Sequence, residues 1–142
     1  SFLGGDLHLS TDIIVGFPGE TEEAFCSTLE MLEKTGVGKL HAFPFSVREG
    51  TPASLFEDRV PAPVVRSRMG RVLSLGSELL LLYSRRWVGK NVEVLVERNE
   101  RGAIDGLSRH YLRVKARGDS LPGEITTVMT EDSQKGVLQG LV

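Results

Sequence analysis

Three periodicities follow one another along the 142 residues. Ile13, Ile14 and Val15 form a short unbroken apolar run, the pattern of a strand buried on both faces of a parallel sheet. From Thr21 the spacing lengthens to that of a helix. Phe25, Leu29 and Leu32 share one face, Thr21 suits an N-cap, Glu22 and Glu23 suit the positive end of the helix dipole, and Gly36 suits the stop. Lys39 to Phe45 then predicts a second strand, which makes a βαβ unit with a right-handed crossover.

The second periodic stretch opens with Pro61 and Pro63 and runs to Gly89. Val65, Met69, Val72, Leu80, Tyr83 and Trp87 recur at helical spacing with Gly76 on the same stripe, so Trp87 reads as packing and Arg66, Arg68, Arg85 and Arg86 as solvated. From Asn91 the period drops to two. Val92, Val94 and Val96 alternate with Glu93, Leu95 and Glu97, Arg98 to Gly102 supplies a turn, and Ala103 to Leu107 returns. In the next strand Leu112, Val114 and Ala116 point one way, and Tyr111, Arg113, Lys115 and Arg117 the other. With Glu124 to Thr130 and Gly136 to Val142 this makes five short strands, which a small antiparallel barrel closes without exposed edges. The fold class predicted is α/β followed by all-β, in three segments, 1–60, 61–89 and 90–142.

Composition narrows this only a little. With 40% hydrophobic and 25% charged residues the chain is ordinary globular protein. Its longest apolar run, Leu79 to Tyr83, is far below the ~20 residues that span a bilayer, so the expectation is a cytoplasmic protein without a membrane partner. The single cysteine, Cys26, excludes an internal disulfide and is too few for a zinc or iron–sulfur site. The net charge of −2 conceals an asymmetry: residues 1–60 carry 4 basic and 10 acidic side chains, residues 61–118 carry 12 and 5, and residues 119–142 carry 1 and 4. A basic block between two acidic ones fits either a polyanion footprint or a solvated mixed face.

Gly16-Phe17-Pro18-Gly19 stands where an open α/β sheet places its ligands, just beyond the carboxyl end of a strand. The glycines permit close approach, Pro18 stiffens the turn and Phe17 offers a surface to a flat ring. A phosphate cradle is excluded by pattern and by Glu20, Glu22 and Glu23 at the helix start, which leaves a ligand of little negative charge or a purely structural turn.

Thr11-Asp-Ile-Ile-Val-Gly-Phe-Pro-Gly-Glu-Thr-Glu-Glu23 resembles the late-strand motif of the radical S-adenosylmethionine tRNA methylthiotransferases. Lys39-Leu-His-Ala-Phe-Pro-Phe-Ser46 with Arg48-Glu-Gly-Thr-Pro-Ala53 is similar to the family's final barrel strand and loop, most of all in the branch acting on threonylcarbamoyladenosine. The long helix and five-stranded module resemble the end of the family, its TRAM RNA-binding barrel. The resemblance implies a C-terminal piece of a longer enzyme: 1–60 closing a partial (β/α) radical barrel, 61–89 a connecting helix, 90–142 the TRAM domain.

It implies further that a 5′-deoxyadenosyl radical made from S-adenosylmethionine takes hydrogen from adenine C2 and that a methylthio group replaces it. Asp12, Gly16 and Phe17 are then the cofactor-binding residues. No catalytic or metal-ligating residue lies in this piece, because the family's 4Fe-4S clusters are held by cysteines absent here. The piece should be inactive alone and depend on its N-terminal portion and a reductant protein. The RNA partner is a tRNA anticodon stem-loop, gripped by Arg109, Tyr111, Arg113, Lys115 and Arg117, where cations meet phosphate and Tyr111 stacks on a base. Arg98, Lys90 and His110 extend that patch. His41, among apolar strand neighbours, reads as a core histidine. Ala24, Phe45 and Val47 depart from the family pattern, which weakens the assignment to that substrate branch; the alternative readings are another modified adenosine, a ribosomal protein substrate, or a stand-alone RNA-binding module.

Overall fold

The computed structural model describes residues 8–142, which divide into two units, Leu9–Leu79 and Leu80–Val142 with His8.

The first unit holds β1 (Ser10–Val15), α1 (Glu22–Thr35), β2 (Lys39–Pro44), a short 3₁₀ turn (Pro52–Leu55) and the larger part of α2 (Ala62–Arg85). β1 and β2 pair in parallel from Ser10↔Lys39 to Val15↔Pro44, with α1 as the crossover. The helix starts and stops where the polar signals placed it. Thr21 Oγ1 accepts the Ala24 N–H at 3.1 Å, and Gly36 takes the left-handed conformation at φ 67°. Val15, Phe25 and Val72 are buried together, with Ile13, Leu40, Ala42, Val65 and Met69 packed around them. Gly76 lets Leu40 approach α2, since a β-carbon there would sit 3.3 Å from Leu40 Cδ2.

Two expectations about the sheet fail in this unit. β1 is buried on one face only: Ile13 and Val15 face the helices, while Asp12 and Ile14 are exposed, because nothing within the unit covers the other side of a two-stranded sheet. His41 is exposed for the same reason, opposite Asp12 on that open face.

The second unit is a closed barrel of β3 (Asn91–Glu100), β4 (Ala103–Ser108), β5 (Arg113–Arg117), β6 (Ile125–Gln134) and β7 (Val137–Leu141), in the order β3-β4-β5-β7-β6. Val92, Val94, Val96, Ile104, Leu112, Val114, Val128 and Leu138 fill it, and Tyr83 and Trp87 pack with them. The barrel is mixed, correcting the antiparallel expectation: β5 and β7 run parallel. The reason is counting. Strand directions cannot alternate all the way around a closed ring of five, so one neighbouring pair must agree. Glycine sets the tightest crossings. A β-carbon on Gly106 or Gly140 would run into the carbonyl oxygens of Leu95 and Met129. β3 extends through Arg98, so the turn is only Arg101–Gly102, and β5 starts at Arg113 because Tyr111 takes φ 58°. Among the described residues no helix is long and apolar enough to cross a membrane.

Candidate functional site

β1 delivers its last residues to a loop cluster in the first unit. The open face of the sheet carries Asp12 and Ile14 from β1 beside His41 and Phe43 from β2, in register. Ile14 is 58% and Phe43 52% exposed, an apolar ledge beside a carboxylate. The ledge continues into a depression of about 550 Å³ lined by Phe45, Ser46, Arg48, Thr51 and Ala53. Phe17, half-exposed at the tip of the turn, sets its ring edge-on to Phe45 and Phe56, with centroids 5.2 and 6.1 Å apart.

Gly16 stands apart from that ledge. It is buried with φ 79°, and a β-carbon would meet Val65 Cγ2 at 2.6 Å, so packing on α2 already requires glycine there. Its N–H donates to Glu20 Oε1 at 3.3 Å.

The acids after the turn are neutralised. Arg68, expected in water, is 5% exposed: Nη1 donates to Glu20 Oε1 at 2.6 Å and to the Glu20 carbonyl at 3.0 Å, and Nη2 lies 3.2 Å from Glu22 Oε2. Arg71 pairs with the other oxygen of Glu22. The Arg71 hydrogen bond is the main cause holding the Glu22 pKa below its ordinary value, and reciprocally the Arg71 pKa is raised. The periodicity placed Arg68 correctly on α2. What hid its partners is that Glu20 and Glu22 lie more than 45 residues away along the chain.

In the barrel, β5 turns Arg113, Lys115 and Arg117 outward while Val114 and Ala116 face in. These cations are not equivalent. Arg113 is clasped by Glu97 at 2.6 Å and by Asp105, and the Glu97 hydrogen bond chiefly raises its pKa. Arg109 pairs with Glu93 at 3.1 Å. Lys115 and Arg117 line a shallow concavity of about 750 Å³ with Arg98 and Gln139, among Glu100, Asp105 and Glu131. Tyr111 is 62% exposed on its turn, its ring stacked on His8 with centroids 5.2 Å apart. His110 does not extend the patch. It is buried and stacked on Trp87, centroids 3.5 Å apart, whereas Tyr111 beside it is exposed. Lys90 lies 5.0 Å from the Trp87 ring centroid.

No known family model matches the chain. Curated relatives do. A tRNA-2-methylthio-N(6)-dimethylallyladenosine synthase of Clavibacter michiganensis is 46% identical over 73% of the chain and 20% of its own length. The synthase of the same name from Aquifex aeolicus is 38% identical over 95% of the chain and 31% of its own length. The threonylcarbamoyladenosine tRNA methylthiotransferase MtaB of Thermotoga maritima is 36% identical over 94% of the chain and 31% of its own length. The chain belongs to the tRNA methylthiotransferase family. It spans between a fifth and a third of the length of these relatives.

Two groups associated with the family test differently against these residues. The ledge of Ile14 and Phe43 with Asp12 at its edge has the character an uncharged ring with a polar substituent needs, so a nucleoside cofactor fits. An iron–sulfur cluster does not. Cys26 is the single cysteine, set on α1 beside Glu22 and Arg71, and among the described residues no three His, Cys, Asp or Glu side chains gather to hold a metal.

Proposed function

We propose that this chain is the C-terminal part of a cytoplasmic tRNA methylthiotransferase that adds a methylthio group to C2 of an N6-modified adenosine beside the anticodon. S-adenosylmethionine supplies the radical chemistry and the methyl group. The chain's own residues bind and orient. Asp12 accepts hydrogen bonds from the cofactor's polar groups, Ile14 and Phe43 give its ring a dry surface, and Phe17 borders it. Lys115 and Arg117 hold RNA phosphates, with Arg98 beside them, and Tyr111 stacks on an unpaired base. Arg109 and Arg113 hold the adjoining acidic side chains in place so that these do not repel the RNA. The cluster ligands come from the N-terminal portion of the enzyme, the electrons come from a reductant protein, and the chain alone is inactive.

The observation that carries this reading is the similarity across 94–95% of the chain to enzymes named for this chemistry. Threonylcarbamoyladenosine is the substrate favoured by the Lys39–Ala53 stretch. Dimethylallyladenosine is the second reading, favoured by the names of the relatives from Clavibacter and Aquifex. The test is to express the full-length enzyme in cells lacking their own methylthiotransferases and to digest the tRNA to nucleosides. Mass spectrometry should then show a 2-methylthio derivative of one of the two nucleosides. Unmodified tRNA from cells making folded, cluster-loaded enzyme would refute the reading.

A further inference from the structure

We infer that Arg68 is a positioning residue for the cofactor face, acting through Glu20 on the Gly16–Gly19 turn; the inference rests on the function proposed above. One guanidinium ties three levels of structure together. Its Nη1 donates to Glu20 Oε1 at 2.6 Å and to the Glu20 carbonyl at 3.0 Å, and the same carboxylate oxygen accepts the Gly16 N–H at 3.3 Å. The turn is thus held from α2 by side-chain, main-chain and strand-end contacts at once. Glu20 N–H donates back to the Phe17 carbonyl at 2.9 Å, Gly19 N–H to the Asp58 carbonyl at 2.7 Å, and Phe45 N–H to the Val15 carbonyl at 2.8 Å. Phe17, Phe45 and the end of β1, the borders of the ledge, are therefore fixed relative to α2 by this network.

Stability alone does not account for an arginine at this place. Arg68 is buried on the apolar stripe of α2, its Cζ 5.3 Å from the Phe25 ring centroid, where a methionine would fill the same space without desolvating a charge. What an apolar side chain could not do is orient the Glu20 carboxylate. Without Arg68 that carboxylate keeps only the Gly16 N–H, and the turn loses its polar tie to α2 and is left with the packing of Gly16 on Val65. A pocket formed by a loop takes its precision from the groups that lock the loop.

The experiment uses the full-length, cluster-loaded enzyme without reductant, so that no turnover occurs, and reads binding only. Equilibrium dialysis measures S-adenosylmethionine, and anisotropy of a labelled anticodon stem-loop measures RNA. Arg68→Met should weaken S-adenosylmethionine by about tenfold or more while leaving RNA affinity unchanged. Glu20→Ala, which removes the carboxylate that links Arg68 Nη1 to the Gly16 N–H, should have a similar effect, and adding it to Arg68→Met should cost little more, because both break that one link. Arg68→Lys, which keeps the charge but loses the fork, should fall between. A merely structural arginine predicts a lower unfolding temperature with S-adenosylmethionine affinity intact well below it, and that result would overturn the inference. If Arg68→Met does not fold, Glu20→Ala decides by the same criterion. Wild-type enzyme that takes up no S-adenosylmethionine overturns the proposed function and this inference with it, whereas normal wild-type binding with unaffected variants overturns the positioning role alone.

Discussion

Replacing Lys115 and Arg117 together by alanine tests where the RNA lies. Both project from the same face of β5 and line one concavity with Arg98, and neither is clasped like Arg113. A cation that meets a phosphate releases a counterion, so the logarithm of affinity falls with the logarithm of salt by about 0.7 for each contact on single-stranded RNA. Losing two contacts should make that slope shallower by about 1.4. From about 50 to about 200 mM salt the wild-type chain then loses about sevenfold more affinity than the double variant. Arg113→Ala should barely change the slope, because its charge is already matched by Glu97 and Asp105. The assay is anisotropy of a labelled anticodon stem-loop at five or more salt concentrations. Lys135→Ala, an exposed cation in the β6–β7 turn, serves as the control. A slope that moves as much for Lys135 as for the pair, or an unchanged slope for the pair, would show that the RNA is held elsewhere.

Three further outcomes follow from the geometry. Gly140→Ala drives a methyl group into the Met129 carbonyl, which cannot retreat without opening the β6–β7 ladder, so the barrel should lose about 3 kcal/mol, read by Trp87 fluorescence in urea; a loss below about 1 kcal/mol would contradict it. Thr21→Ala removes the hydroxyl that accepts the Ala24 N–H and should cost about 1 kcal/mol, seen as an earlier loss of helical circular dichroism in urea. The folded pKa of Glu22 is lowered, chiefly by Arg71, so its contribution is present above its ordinary value of 4.5 and is lost as pH falls through the lower folded value. Acid titration of Glu22→Gln should accordingly show a weaker decline in stability between pH 4.5 and that lower value than the wild-type chain does.

Local signals announced the elements, and non-local ones decided what the elements do. Thr21, Gly36 and the Val92-Val94-Val96 alternation were legible because each acts within a few residues of itself. The parallel β5–β7 pairing was not visible in any window of sequence, since it comes from closing an odd ring. Nor could the run Ile13-Ile14-Val15 reveal that one face of its strand is open here. An apolar run reports affinity for burial, whereas Asp12 and His41 on the same face report how far this two-stranded sheet is covered.

Charge was the least legible property, and the reason bears on the site. The surplus of residues 61–118 fits a polyanion footprint or a solvated mixed face, and it sums over side chains that the fold sends to different tasks. Arg68 and Arg71 are consumed by Glu20 and Glu22 in the first unit. Within residues 80–142 there remain 10 basic and 8 acidic side chains, and Arg109 and Arg113 are matched to Glu93, Glu97 and Asp105. A weakly charged barrel whose concavity sets Arg98, Lys115 and Arg117 among Glu100, Asp105 and Glu131 attracts phosphate over a short range only, about a Debye length of 8 Å at physiological salt. Such a surface favours RNA that already fits the concavity and the exposed Tyr111 ring over RNA gathered by charge alone. Discrimination among tRNAs would then rest on shape and stacking at the loop, so inorganic polyphosphate, which carries charge and no base, should displace an anticodon stem-loop poorly even at equal phosphate concentration. Equal displacement would mean that charge alone governs the contact and that Tyr111 has no part in it.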